Sequence, residues 1–224
     1  MATFVLVPGA WLGAWVWEPL VAQLRTLGHD AVPVTLRGLD GTPGDMGLDE
    51  HVDDVVTAVR RHPGCVLVGH SYAGVVVGQA ADRAETLVRH TVYVDANLPH
   101  DGEALTAPWS PRGREFVADL IADHDGWWPR PEAGDFAGHG LTDDQIAWLA
   151  GRVVAHPGRT IFDPVVLSRP ASGTYIASLL PNGLSAEVAG LRGRPGWRVE
   201  TLDTGHWPMV SAPEELAALL TATP

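Results

Sequence analysis

The ten residues Cys65-Val66-Leu67-Val68-Gly69-His70-Ser71-Tyr72-Ala73-Gly74 constrain this chain more than any other stretch. An apolar run ends at a glycine, a serine follows between small residues, and a helical pattern begins at once. A side chain at the tip of such a strand-to-helix turn projects away from the backbone, and the turn closes only if its neighbours are small. Ser71 therefore stands at the N-terminus of the next helix, where unpaired N–H groups favour negative charge. The spacing Gly-x-Ser-x-Gly is met at Gly69 and Ser71. Its last place is Ala73, with Gly74 one residue later.

Short apolar runs alternate with helical periodicity on both sides of this turn. Thr3–Val7 reads as a buried strand, followed by a helix face of Leu20, Val21, Leu24 and Leu27 that starts near Glu18-Pro19 and stops at Gly28. A second strand spans 31–36, and a helix with the apolar face Val52, Val55, Val56 and Val59 runs from about Leu48 to His62-Pro63-Gly64. Cys65–Val68 is the central strand, 72–83 the helix after the turn, and Thr91–Val94 another strand. β-α-β order without polar alternation in the strands predicts an α/β fold with a doubly wound, mostly parallel sheet covered on both faces. From 97 to 169 the periodicity breaks among Pro, Gly, Asp and tryptophans. This segment reads as a small, partly helical cap insertion, about 99–169, with helices near 112–122 and 142–154. The sheet pattern resumes at 173–177, with a helix near 185–191, the strand 197–202 and a last helix from Pro213. The expectation is one domain over 1–224, its core formed by 1–98 and 170–224.

Composition removes several chemistries. All 15 basic residues are arginine, so no Schiff-base, pyridoxal or P-loop lysine exists, and a net charge of −12 argues against nucleic acid and anionic membranes. The one cysteine, Cys65, cannot pair within the chain, which fits a cytoplasmic setting. Neither a signal peptide nor a membrane span is expected from the N-terminal run, which Pro8-Gly9 cuts short. Oligomeric state is left open, a homodimer included.

A serine hydroxyl needs a base to take its proton. After the last strand comes Asp203-Thr204-Gly205-His206-Trp207-Pro208, which places His206 on a loop at the same sheet edge as Ser71. After the first strand, Val7-Pro8-Gly9-Ala10-Trp11-Leu12-Gly13 forms a glycine-rich turn. It either aims a backbone N–H at the site or needs its glycines only for backbone angles. In the first case the N–H groups of Ala10 and Tyr72 form an oxyanion hole. Trp11 with Trp109, Trp128 and Trp148 is expected to line an apolar pocket, unless the cap tryptophans form a small core of their own.

Together these stretches, with Val92-Tyr93-Val94-Asp95-Ala96 and Pro99, resemble the α/β-hydrolase superfamily, in particular its small esterases related to salicylate methylesterases and hydroxynitrile lyases. The resemblance covers nearly the whole chain and implies Ser71 as nucleophile, His206 as general base, and Ala10 and Tyr72 as oxyanion-hole residues. It needs no cofactor and no metal. Two departures stand out: Pro8 replaces a common histidine, and no carboxylate follows the strand 174–177, where the family's acid usually lies and Ser178-Leu179-Leu180 stands instead. Asp95 ends the strand after the nucleophile strand, a position from which some superfamily members take their acid. It is therefore the expected triad acid, ahead of Asp203 and Asp163; its alternative role is to hold the first turn of the cap. The implied function is a cofactor-independent serine hydrolase of a small, largely apolar ester, thioester or lactone. The alternative is a lyase, cyclase, acyltransferase or ligand-binding protein with a degenerate triad. In the hydroxynitrile lyases a lysine follows the catalytic histidine and a threonine sits on the oxyanion loop; here those places hold Trp207 and Ala10, which disfavours the lyase.

Overall fold

The computed structural model describes residues 1–42 and 44–223, so Pro43 and the final residue of the expected domain, Pro224, lie outside the described residues. Six strands, β1 (Thr3–Val7), β2 (Asp30–Pro33), β3 (Cys65–His70), β4 (Val88–Val94), β5 (Gly173–Ser178) and β6 (Trp197–Leu202), form one sheet. Its order is β2-β1-β3-β4-β5-β6 and every neighbouring pair is parallel. The longer helices are α1 (Glu18–Thr26), α2 (Leu48–Arg61), α3 (Ala73–Arg83), α4 (Pro111–Ala122), α5 (Asp143–Ala150) and α6 (Pro213–Thr221).

In the inner strands alternate residues serve opposite buried faces, which is why β1 and β3 carry no polar alternation. Phe4, Leu6, Val66, Val68, Val92, Val94 and Ile176 pack with Leu20 and Leu24 of α1 and Leu216 and Leu220 of α6. Val5, Val7, Cys65, Leu67 and Tyr93 pack with the valines of α2 and α3 on the other face. Right-handed crossovers dictate this division. The chain steps from β1 outward to β2, then back past β1 to β3, so α1 lies on one face and α2 and α3 on the other. The connections leaving β1 and β3 thus diverge, and a crevice opens between them at the carboxyl edge of the sheet, the usual place for a ligand in such folds.

Some expected boundaries shift. The β2 ladder ends at Pro33, short of the expected Leu36; Val34 N–H gives one more bond to Leu6 O at 2.9 Å before the chain turns away. Leu27, expected on the buried face of α1, caps its C-terminus and is 52% exposed. The helix expected over 142–154 stops at Ala150, capped by Gly151, and that expected near 185–191 is a single turn, Ala186–Ala189. Between β4 and β5, residues 95–172 hold α4, α5 and a short antiparallel pair, Trp127–Trp128 with His156–Pro157. This segment covers α3, whose residues Ala73–Ala80 are all buried, and Gln79 Oε1 accepts the Val166 N–H at 2.9 Å. Among the described residues no helix is long and apolar enough to cross a membrane.

His51, His70 and His156 are each at most 1% exposed. Burial holds all three below the usual imidazole value of 6.5, so they are neutral in the fold. The unfolded chain binds these protons more readily, so stability is complete above pH 6.5 and falls as pH drops below it. Each histidine contributes a loss of up to about 1.4 kcal/mol per pH unit. Urea unfolding should therefore show a clearly lower stability at about pH 5.5 than at about pH 7.5. Equal stability at the two values contradicts the neutral burial of these rings.

Candidate active site

Among the described residues, four other than glycine hold a left-handed backbone, and three of them follow adjacent strands at the carboxyl edge: Trp11 after β1 (φ 65°), Ser71 after β3 (52°) and Asp95 after β4 (43°). Such conformations are costly for L-residues and turn each side chain away from its strand. At Ser71 the turn is closed by Gly74 N–H and Asn97 N–H, which both donate to the Ser71 carbonyl at 3.1 and 3.0 Å. A Cβ on Gly74 would lie 2.1 Å from Asn97 O, whereas Ala73 is accommodated. The glycine displaced by one place in the sequence pattern is thus the one for which no side chain has room.

Ser71, His206 and Asp95 lie in one hydrogen-bonded line. The His206 Nδ1–H donates to Asp95 Oδ2 at 2.6 Å, which leaves Nε2 to accept the Ser71 hydroxyl at 2.9 Å. Asp95 Oδ1 accepts the N–H of Ser178 at 3.2 Å, and its own N–H donates to Ile176 O at 2.8 Å. Ser178 occupies the place where the sequence lacks the usual acid, and its backbone orients the carboxylate supplied by the neighbouring strand. Asp203 is exposed, and Asp163 accepts the Leu48 N–H at 3.0 Å at the start of α2.

The N–H groups of Ala10 and Tyr72 have no acceptor among the described residues, and both residues are buried. The turn after β1 is fixed by the β4–β5 segment: Trp11 N–H donates to His156 Nδ1 at 3.4 Å and Trp11 O accepts the Val154 N–H at 3.1 Å. His156 Nε2–H then donates to Thr160 Oγ1 at 2.8 Å. Tyr72 is tied to the core in the same manner. Its hydroxyl donates to His51 Nδ1 at 2.8 Å, and His51 Nε2–H donates to Arg37 O at 2.9 Å. Sequence reasoning did not find His51 or His156, because buried histidines give no periodic signal.

Of the four predicted pocket tryptophans, Trp11, Trp128 and Trp109 form a cluster of tilted rings, with centroids 4.2 and 6.1 Å apart. Trp148 is elsewhere, edge-on to Trp15 at 5.0 Å with Arg152 over its ring. A cavity of about 430 Å³ adjoins Asp95 and His206; its lining mixes Val75, Leu98, Leu105, Val165 and Val188 with Glu103 and the His100–Glu187 pair at 2.8 Å, and includes none of the four tryptophans. A second cavity, of about 260 Å³, lies at the opposite edge of the sheet, against Val88, His90 and Gly173.

Residues 4–219 match the alpha/beta hydrolase family, and the chain belongs to that family. It is 31% identical to a carbendazim hydrolyzing esterase of Nocardioides sp. (strain SG-4G), over 99% of each chain. It is 30% identical to polyneuridine aldehyde esterase of Rauvolfia serpentina over 54% of this chain and 48% of that one. Among solved structures, an extracellular alpha/beta-hydrolase from a Paenibacillus species superposes with a TM-score of 0.86 at 19% identity, covering 99% of this chain and 98% of the other. Tomato methylketone synthase I gives 0.79 at 19% identity, covering 99% and 96%. At such identities the structural likeness concerns the fold alone.

The geometry separates the two carboxylates nearest His206 in fold and sequence. Asp95→Asn keeps the shape but withdraws the charge and favours the wrong imidazole tautomer, so kcat on an activated ester should fall by about four orders of magnitude. Asp203→Asn should stay within about threefold of the parent, as expected for an exposed side chain. Equal losses in the two variants contradict the assignment of Asp95.

Proposed function

We propose that this chain is a cofactor-independent serine hydrolase of small, largely apolar carboxylic esters, thioesters or lactones, working through an acyl-enzyme on Ser71. The observation that carries the reading is the hydrogen-bonded line from Ser71 Oγ through His206 to Asp95. As Ser71 Oγ bonds to the substrate carbonyl carbon, its proton passes to His206 Nε2. Asp95 holds the tautomer and stabilises the imidazolium. Negative charge develops on the carbonyl oxygen, and the N–H groups of Ala10 and Tyr72 meet it at the N-terminus of α3. Collapse breaks the bond to the leaving group, which takes the proton from His206. Water then attacks the acyl-enzyme, giving a proton to His206 Nε2, and the acid departs as Ser71 regains its hydrogen.

A partly apolar substrate is supported by Val75, Leu98, Leu105, Val165 and Val188 in the lining of the cavity beside Asp95 and His206, which His100, Glu103 and Glu187 share. The segment over about 99–169 acts as the cap that bounds this space, and Trp148, packed with Trp15, serves its packing rather than the pocket. Carbendazim, the compound in the name of the 31% identical relative, is the first substrate to offer. A cytoplasmic setting fits a chain whose one cysteine, the buried Cys65, has no partner for a disulfide within the chain.

Ser71→Ala removes one oxygen from a half-buried turn. Ester turnover should fall by at least about 10⁴-fold while cooperative unfolding is retained. A folded Ser71→Ala protein with full activity would overturn the reading.

A further inference from the structure

Two other histidines hold the peptide of His206. His70, between Gly69 and Ser71, donates its Nε2–H to the His206 carbonyl oxygen at 2.6 Å. His139, from the segment between β4 and β5, accepts the His206 N–H on Nδ1 at 3.3 Å. We infer that His70 and His139 are positioning residues that aim the His206 imidazole, so that the β4–β5 segment is a working part of the triad as well as its cover. This rests on the proposed serine-hydrolase reading of Ser71 and His206.

The need for such a clamp follows from the loop and from the chemistry. His206 sits between the end of β6 and the helical turn Pro208–Ser211, on a loop that contains a glycine. Its ring has two side-chain bonds, to Asp95 and to Ser71, but the second is lost when Ser71 Oγ becomes acylated. From then until water attacks, the direction of Nε2 depends on the Asp95 bond and on the peptide that carries the ring. A misplacement of about 1 Å at this stage is worth about 10²-fold in rate.

The clamp is built from both sides. A Cβ on Gly205 would lie 2.2 Å from His139 O and 2.5 Å from His139 Cα, so the loop and the segment meet backbone to backbone. The His139 ring is held edge-on to Trp207 at 4.9 Å, and Trp207 rests on the buried Phe136 at 4.9 Å. His70 is 1% exposed, with its ring 4.7 Å from that of His206. Both clamp histidines must be neutral, because a protonated His139 would present an N–H to an N–H, and a charged His70 would oppose the imidazolium formed on His206. Burial, and then the proximity of His206, keep both below the usual imidazole range.

The test compares deletion with rescue. His139→Leu and His70→Leu remove the hydrogen-bonding atoms; His139→Asn returns an acceptor near the Nδ1 position, and His70→Gln returns a donor near Nε2. With p-nitrophenyl acetate, each Leu variant should lose about 10- to 100-fold in kcat with KM within about twofold, while the amide variants recover to within about fivefold of the parent. The low-field proton resonance of His206 Nδ1–H, which reports the Asp95 bond, should broaden in the Leu variants and persist in the amide variants. His139 is only partly buried, so its variants decide the matter if His70→Leu does not fold. A folded His139→Leu protein with parental kcat and an unchanged resonance overturns the inference, as does an equal loss in His139→Leu and His139→Asn. A parent protein that hydrolyses no ester removes the hydrolase reading; the clamp then stands or falls on whether the resonance broadens in His139→Leu.

Discussion

A parallel sheet puts the carboxyl ends of all its strands on one edge, and here that edge supplies every group of the candidate site. Trp11, Ser71 and Asp95 leave three neighbouring strands, β1, β3 and β4, each through a left-handed residue. His206 arrives on the loop after β6 and closes the line between the other two. Strain at the strand ends is tolerable because the sheet beneath is buried on both faces and cannot yield. Every residue of β3, the strand that carries the turn at Ser71, is buried.

The carboxylate that meets His206 comes from β4, at Asp95. A carboxylate on β5 or on β4 can reach the same imidazole because the two strands are adjacent and in register, Val94 opposite Ile176. With Ser178 where the acid would otherwise stand, the backbone of β5 still contributes, giving its N–H to Asp95 Oδ1. The charge comes from one strand and its orientation from the next.

Much of this was legible in the sequence because the physics behind it is local. Periodicity located the inner strands, since a strand covered on both faces must be continuously apolar, and the turn at Ser71 is encoded in Gly69, Ala73 and Gly74 around the serine. Asp95 and His206 could be placed because each follows an apolar strand pattern at the carboxyl edge of the sheet, and the roles expected of them came from the family resemblance. The segment between β4 and β5 was less legible. It packs on α3 and on the loops rather than on the sheet, so its residues follow no single period; Trp148 and Trp128 look alike in sequence but pack against different cores. His139, His156 and His51 escaped for a related reason. Each is defined by a hydrogen bond to residues 21 to 145 positions away, and only the flanking Gly138 and Gly140 hinted that His139 sits in a close turn.

The chemistry assigned to Ser71 is tested most directly by treating the intact protein with a fluorophosphonate and locating the adduct by peptide mass spectrometry. A single adduct on Ser71 is the predicted result, since only an activated serine beside His206 displaces fluoride at a useful rate. A chain left unmodified, or one modified elsewhere while Ser71 stays free, contradicts the role of Ser71 as nucleophile.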